Sequence, residues 1–200
     1  MKNDYIHKGR VNQKLETRDK ILQSARFFLQ KGKEFTLEDI AHKAEISRAT
    51  VYRYYSNTEI LSCEAVLDIK TKSAESMYMD LKGQELDKSL NSVQHYYNDL
   101  ALKYEDAFRK YLSVTISSNN SQVKRGARRK KTLKLLLNDS SLSSPEQEHV
   151  ANFLTVLMGI EPLIVTKDVC GLTSQESVQL LSWGMEMFLK GLKATSSNFK

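Results

Sequence analysis

The near absence of residues that interrupt helices is the strongest constraint on the fold of this chain. Only two prolines and eight glycines occur among 200 residues. Apolar residues recur three and four positions apart over long segments, as they do on one face of an α-helix. Hydrophobic residues make up 40% of the chain and charged residues 27%, which is typical of a globular protein with a buried core. These features predict an all-α protein of about nine helices.

The periodic segments and the polar stretches between them give the predicted helix bounds. Residues before about 13 are predicted to form a mobile basic arm. The first three helices are predicted at about 13–30, 37–44 and 48–55. A long fourth helix is predicted to follow Ser56 and to reach Leu81. Five more helices are predicted at about 86–102, 105–117, 122–137, 145–168 and 174–195.

Two of the first helices are separated by a very short turn. Thr36 can cap the second helix, and Asp39 is placed to complete a capping box. The letters EIS at 45–47 form a turn of three residues, after which Ser47 can cap a third helix from Arg48 to Tyr55. Helices packed in sequence with so short a turn form a helix–turn–helix.

The third helix has two different faces. At about 100° per residue, Val51 and Tyr55 point to one side and can pack against the second helix. The opposite side carries Arg48, Ala49, Thr50, Tyr52 and Arg53. Arginine can bond bidentately to guanine, alanine can approach a thymine methyl group, and hydroxyl groups reach phosphates, so this face is predicted to enter the major groove of DNA. The alternative is a helical corner whose arginines and tyrosines merely lie along the surface.

The charge distribution supports a polyanionic partner. The formal net charge is +6, and residues 1–60 hold twelve Lys/Arg against eight Asp/Glu. A second basic run, Lys124 to Lys134, contains seven basic residues and no acid. We interpret this run as a solvated helix face, with a second nucleic-acid surface or an acidic ligand as the alternatives.

Residues 17–66 resemble the N-terminal domain of TetR-family transcriptional regulators. The resemblance rests on FTLEDIAHKAEIS at 35–47, on ATVYRYY at 49–55, and on the polar corner that leads into the fourth helix. The family implies a homodimer, a palindromic operator in double-stranded DNA, and a helical ligand-binding domain. By this resemblance residues 1–60 are the DNA-binding domain with its basic arm, and residues 61–200 bind the ligand and form the dimer.

The resemblance also implies roles for individual residues. It assigns base or groove contacts to Arg48, Ala49 and Arg53. It assigns phosphate contacts to Thr36, Thr50, Tyr52 and Tyr54, and to Asn57 and Thr58 at the head of the fourth helix. Glu45 stands where the family usually has glycine, which costs about 1 kcal/mol if the backbone there is left-handed. Thr58 stands where the family usually has lysine, which predicts a shallower salt dependence of DNA binding.

The last two predicted helices carry a pattern for helix-on-helix packing. Their apolar residues alternate at spacings of three and four, and small residues recur every seven positions on the final helix. Glycine inside a helix costs about 1 kcal/mol relative to alanine, which close approach of another helix can offset. The pattern predicts a four-helix dimer interface that contains Leu154, Leu157, Leu181, Gly184, Met185 and Phe188. The alternative is that both stripes face the protomer's own core.

Aromatic residues of the middle helices and one acid are candidates for an effector site. They are Tyr97, Tyr104, Phe108, Tyr111 and Glu161. Tyrosines give an apolar cavity with hydroxyl groups for orientation, although aromatic residues at helical spacing also build cores. Glu161 precedes Pro162, which should bend its helix. Its carboxylate could sense a cationic or hydroxylated ligand, or it could pair with a lysine.

Motifs for catalysis are missing from the sequence. The histidines are scattered, and Glu146-x-x-His149 lacks the second such pair that a di-metal site needs. There is no P-loop, dinucleotide turn, nucleophile elbow or Cys–His cluster. The two isolated cysteines suit a reducing cytoplasm, and no apolar run reaches the roughly 20 residues that span a membrane. We therefore predict a cytoplasmic protein that is not an enzyme and that needs neither a metal nor a cofactor.

Together these patterns favour a ligand-responsive DNA-binding repressor. An unknown small-molecule effector in the C-terminal helices would move the fourth helix and change the separation of two recognition helices. Half-sites must match a spacing of about one turn, roughly 34 Å, so a small change would lose one half of the contact. An activator would use the same contacts. The competing hypothesis is a helical small-molecule-binding or protein-interaction module without specific DNA binding.

Overall fold

The computed structural model describes residues 2–117 and 127–195. Within these residues the chain forms eleven α-helices and one π-helical turn without a β-strand, which confirms the predicted all-α fold. The helices are α1 (Lys2–Gln30), α2 (Leu37–Ala44), α3 (Arg48–Tyr54), α4 (Thr58–Lys70), α5 (Ala74–Leu81), α6 (Leu86–Lys103), α7 (Glu105–Ser117), α8 (Arg128–Leu137), α9 (Ser144–Val156), α10 (Ile160–Ile164) and α11 (Ser174–Thr195), with the π-helical turn at Val165–Val169.

The chain divides into two compact units. The N-terminal unit consists of Met1–Lys70 and Ala107–Val123, and the C-terminal unit consists of Thr71–Asp106 and Lys124–Lys200. Helix α4 therefore stays with the N-terminal unit up to Lys70, beyond the predicted boundary at residue 60. Where the functional domains divide stays a prediction.

The core of the N-terminal unit forms where the apolar stripes of α1 to α4 meet. Ile21, Ile40, Val51 and Leu61 come from four different helices, and all four are fully buried. Each lies on the apolar stripe of its helix, and the burial of Val51 and Tyr55 confirms the predicted inward face of α3.

Two predicted helix bounds in the N-terminal half are wrong. Helix α1 begins at Lys2, where a mobile arm was expected, and α4 ends at Lys70 instead of continuing to Leu81. The second difference has a local cause in the polar residues at 71–73. Ser73 has an extended backbone, and its hydroxyl accepts a hydrogen bond from the N–H of Ser76 at 3.0 Å, so it caps a new helix, α5.

The C-terminal unit buries a leucine-rich core and pairs many of its surface charges. Lys130 and Lys134 both bind the carboxylate of Glu148, at 2.5 and 2.8 Å. These two lysines lower the pKa of Glu148 to about 2. Lys131 pairs with Glu75. The described part of the basic run thus forms ion pairs along α8, and residues 124–126 of the run lie outside the described residues.

The predicted helix at 145–168 is interrupted by a break at 157–159, between α9 and α10. Gly159 has φ 87° and ψ −161°, a backbone conformation that only glycine adopts readily. Its N–H donates to Asn98 Oδ1 at 2.8 Å, and Gln94 Nε2 donates to the carbonyl of Leu157 at 2.9 Å. Arg129 donates to the carbonyl of Met158. Side chains of α6 and α8 therefore satisfy the backbone groups that the break exposes.

Pro162 does not cause this break. It lies in the first turn of α10, where a proline ring displaces no helical hydrogen bond. The bend expected at Pro162 therefore occurs before it, at Gly159, where the chain passes through a conformation that a residue with a side chain resists.

Candidate nucleic-acid interface

The start of the recognition helix α3 is fixed by Ser47. Its backbone is extended, and its Oγ accepts a hydrogen bond from the N–H of Thr50 at 3.1 Å. The Thr50 hydroxyl lies 2.8 Å from Ser47 Oγ, so both hydroxyl groups sit at the N-terminal end of α3. Free N–H groups at this end give it a partial positive charge, which favours phosphate.

The two faces of α3 are separated as the sequence predicts. Val51 and Tyr55 are buried, whereas Arg48, Ala49 and Arg53 are exposed. The outer face therefore combines one small side chain, Ala49, with two cationic side chains, Arg48 and Arg53. An arginine-bearing face on a helix that projects from a compact core has the shape and charge that a DNA groove accepts.

The turn between α2 and α3 is left-handed at a residue other than glycine. Glu45 has φ 56° and ψ 42°, and it is the single non-glycine residue with positive φ in the described parts of the chain. The N–H of Ile46 donates to the carbonyl of Ala41 at 3.0 Å, which closes the end of α2. The conformation foreseen for Glu45 is therefore present, at a cost of about 1 kcal/mol.

Tyr52 lies on the outer face but is held by a residue that the sequence argument missed. Its side chain is 49% exposed, and its hydroxyl donates to Glu38 Oε1 on α2 at 2.9 Å. This hydrogen bond lowers the pKa of the Glu38 carboxyl and raises the pKa of Tyr52. A carboxylate thus stands beside the proposed phosphate contact. The sequence holds no local signal for it, because the two residues are fourteen positions apart.

Thr36 forms the predicted capping box at the start of α2. Its hydroxyl accepts from the N–H of Asp39 at 3.1 Å, while the Asp39 carboxylate accepts from the N–H of Thr36 at 2.8 Å. Hydrogen bonds from Thr36, the backbone N–H foremost, lower the pKa of Asp39. Thr36 is exposed at this helix end.

The remaining predicted phosphate contacts lie on either side of α3. The Tyr54 hydroxyl donates to the backbone carbonyl of Lys14 on α1 at 3.3 Å. Asn57 Oδ1 accepts from the N–H of Ile60 at 2.9 Å, so Asn57 caps α4. The sequence argument placed that cap at Ser56. Thr58 is the first residue of α4 and is half-buried.

The candidate effector residues are divided between the two units. Tyr97 and Tyr104 belong to the C-terminal unit, where Tyr97 is buried and burial raises its pKa. Phe108 and Tyr111 belong to the N-terminal unit, and the Tyr111 hydroxyl accepts from Arg18 at 3.3 Å.

Glu161, the fifth candidate, is paired in the C-terminal unit. Arg129 binds both carboxylate oxygens of Glu161, each at 2.9 Å. The partner is thus an arginine, where the sequence argument considered a lysine.

The candidate dimer residues differ in burial. Leu154, Leu181 and Met185 are buried inside their own protomer, which is the alternative that the sequence argument left open for the heptad stripes. Leu157, Gly184 and Phe188 are half-buried. The large apolar side chains that α9 and α11 expose are Phe153, Val156, Leu180, Trp183 and Met187.

The described residues also bear on metal binding and on membrane insertion. No group of three or more His, Cys, Asp or Glu side chains there is arranged to hold a metal ion. No single helix in the same residues is long and apolar enough to cross a bilayer, although the bent pair formed by Ser144–Val156 and Ile160–Val169 reaches that length and apolarity together.

Comparison with known proteins gives one family. Residues 21–62 match the family described as "Bacterial regulatory proteins, tetR family". No match was found among curated proteins. The matched segment runs from α1 through the helix–turn–helix into the first turns of α4, so it covers the capped helices and the exposed face described above. This N-terminal segment is therefore similar to the DNA-binding domain of the tetR family of bacterial regulatory proteins.

Proposed function

We propose that the protein is a ligand-responsive transcriptional repressor that binds a palindromic operator as a homodimer. The observation that carries the proposal is the exposed arginine face of α3, presented by a capped helix–turn–helix within the segment that matches the family. Arg48 and Arg53 would read base edges, and Ala49 would let the helix approach the groove closely.

Hydroxyl and amide groups around α3 would hold the DNA backbone. Thr50 lies at the helix N-terminus, and Thr36, Asn57 and Thr58 lie at the starts of the two neighbouring helices. Tyr52 and Tyr54 would reach phosphates from α3 itself. In the DNA-free protein the hydroxyl groups of Tyr52 and Tyr54 are hydrogen-bonded to other parts of the unit, so each would exchange that acceptor for a phosphate oxygen.

The proposed dimer face is the exposed apolar side of α9 and α11. Leu180, Trp183 and Met187 fall on one side of α11, and a Cβ added to Gly184 or Gly191 of the same side would meet no atom. Glycines that face open space let a second helix approach the backbone closely. A contiguous apolar patch of this kind marks an interaction site, and a second copy of the chain is the occupant that the family implies.

The dimer face is tested by a charge substitution at its centre. Trp183→Glu is expected to shift the protein to a monomer in analytical ultracentrifugation, because it buries an unpaired carboxylate at the interface. Glu186→Gln on the exposed polar side of α11 is the control and should leave the dimer intact. A Trp183→Glu protein that sediments as a dimer would rule out this face.

The effector would bind among the helices of the C-terminal unit in the cytoplasm. Tyr97, Tyr104 and Glu161 are the candidates in that unit. Because Arg129 already binds Glu161, a cationic effector would have to displace the guanidinium, whereas a neutral hydroxylated effector could use both groups.

The decisive experiment is selection of the purified protein on random duplex DNA at near-physiological salt. An inverted repeat with half-sites about one helical turn apart is expected. Arg53→Ala should then weaken operator binding by about 1–3 kcal/mol and relax the preference at one position. Absence of any enriched sequence would contradict the proposal.

The second candidate function is a helical ligand-binding module without specific DNA binding. The observation that favours it is Glu45, whose strained turn departs from the glycine that the family usually has there. Such a module would keep its activity in the Arg53→Ala variant.

A further inference from the structure

A cluster of polar side chains is buried beneath the recognition helix. Glu64 of α4 is at its centre: its Oε2 accepts from the Tyr55 hydroxyl at 2.9 Å, and its Oε1 pairs with Arg18 of α1. Arg18 also donates to the Tyr111 hydroxyl of α7 at 3.3 Å. All four residues belong to the N-terminal unit.

The electrostatics of this cluster are those of a satisfied buried carboxylate. Burial, and then the Glu64 carboxylate, raise the pKa of Tyr55 well above its ordinary value, so its hydroxyl keeps the proton that it donates. Burial lowers the pKa of Arg18, but Glu64, Tyr55 and Tyr111 together more than offset this and leave the pKa raised. The Glu64 carboxylate therefore has a donor on each oxygen.

Such a cluster does not by itself explain stability. Removing an ion pair from water costs much of what the two charges gain from each other, and apolar residues of similar size often stabilise a core as well. Hydrogen bonds, unlike apolar contacts, weaken steeply when the donor and acceptor are misaligned. They therefore fix the relative orientation of the groups that they join.

The recognition helix needs directional contacts because apolar packing holds it at few points. Helix α3 has seven residues, and Val51 is its one fully buried side chain. Tyr55 follows directly after it, and its backbone N–H donates to the carbonyl of Val51 at 2.9 Å. The hydroxyl bond to Glu64 therefore fixes the C-terminal end of α3 against α4, while Ser47 fixes only the N-terminal end.

We propose that Glu64 and Tyr55 are positioning residues that set the angle at which α3 presents its outer face to DNA. Arg18 holds the Glu64 carboxylate in its orientation through the ion pair. Neither Glu64 nor Tyr55 touches the nucleic acid. The proposal rests on the DNA-binding function proposed above.

The test compares operator and non-operator binding in Tyr55→Phe, which keeps the buried ring and removes only the hydroxyl. Affinity for the selected operator is expected to fall about tenfold. Affinity for non-operator DNA and the salt dependence should stay unchanged, because no phosphate-binding charge is altered. Glu64→Gln should give a similar loss, because the amide oxygen can accept from only one of the two donors, and the double variant should lose less than the sum of the two, since both variants weaken the same Tyr55–Glu64 contact.

A core variant separates positioning from stability. Ile60→Val shortens a buried side chain of the same helix, α4, and lowers the unfolding midpoint without touching the polar cluster. Its operator affinity should equal that of the wild type at concentrations where the protein is folded.

Two results would overturn the inference alone: a folded Tyr55→Phe protein that binds the operator like the wild type, or a parallel loss of operator and non-operator binding. A wild-type protein without any preferred sequence would instead overturn the proposed function, and the inference with it.

Discussion

The α2–α3 turn at 45–47 and the α9–α10 break at 157–159 interrupt helices over the same number of residues, but different interactions hold them. At the α2–α3 turn the hydrogen bonds that cap the two helices are local. Ser47 caps the next helix, and Ile46 closes the previous one by bonding to Ala41. Such contacts join residues three to five positions apart, so they can be inferred from the sequence.

At the α9–α10 break the stabilising contacts come from distant segments. Gln94 bonds to the carbonyls of Leu157 and Leu181, and Asn98 bonds to the N–H of Gly159. These partners are more than sixty positions apart in the sequence, so no local pattern predicts the contacts between them. The comparison teaches that a turn beside a functional helix can be encoded locally, whereas an interruption inside a core depends on the assembled fold.

The largest effect is expected at Gly159. Gly159→Ala should destabilise the protein by about 3 kcal/mol, because φ 87° with ψ −161° is strained for alanine and because the new Cβ would displace the Arg129 guanidinium from the carbonyl of Met158. Urea unfolding at fixed protein concentration measures this loss. Gly171→Ala is the matched control: its φ is 69° but its Cβ would meet no atom, so it should cost about 1 kcal/mol. Equal losses in the two variants would mean that Arg129 does not restrict the break.

Removing the long-range amide should have the next largest effect. Gln94→Leu leaves two buried backbone carbonyls without their side-chain donor and should cost about 2 kcal/mol in the free energy of unfolding. Ser177→Ala, at another fully buried polar residue, should change stability by less than about 0.5 kcal/mol, since the Ser177 hydroxyl has no hydrogen-bond partner. If both variants behaved alike, the amide would not be what holds the break.

The local turn should respond to loss of its cap. Ser47→Ala is expected to cost about 1 kcal/mol, because the N–H of Thr50 loses its acceptor. Ser56→Ala serves as the control, since Asn57 and not Ser56 caps α4, and it should be neutral within about 0.5 kcal/mol. Thermal and urea unfolding both report the difference, and an equal cost at Ser56 would contradict the assignment of the caps.

The smallest change is expected at Glu45 and has the opposite sign. Glu45→Gly should stabilise the protein by about 0.5–1 kcal/mol, because glycine adopts φ 56° without strain. Glu45→Ala removes the same charge and keeps the strain, so its stability should stay near that of the wild type. A gain of similar size in both variants would assign the effect to charge.

The features that the sequence predicts are those that depend on local contacts, and the features that it does not predict depend on contacts between distant segments. The helical class, the two faces of α3 and the capping box at Thr36 all rest on spacings of one or two turns. The tie between Glu38 and Tyr52 and the cluster around Glu64 join separate helices, and no local pattern indicates them. For the same reason the aromatic candidates for an effector site could not be assigned to one unit.

The dimer prediction shows a second limit of periodicity. Helix α11 is apolar on more than one side. One stripe runs through Leu181 and Met185, and a neighbouring stripe runs through Trp183 and Met187. From the sequence, either stripe could pack against a partner. Burial distinguishes them, since the first stripe packs into the protomer and the second is exposed. A periodic pattern of apolar residues predicts that a helix face is buried, but it does not distinguish burial within the protomer from burial against a partner.

The hydrogen bond between Tyr52 and Glu38 has a consequence for the time that the protein spends on the wrong DNA. A carboxylate beside the recognition face repels the phosphates of every DNA sequence equally. The Tyr52 hydroxyl can exchange Glu38 for a phosphate oxygen, and this exchange would favour binding only where α3 is fully inserted in the groove. In the proposed function, Glu38 would therefore shorten each encounter with unrelated sequence and so speed the search along a chromosome. Loss of that carboxylate would lengthen the dwell time on random DNA more than on the operator.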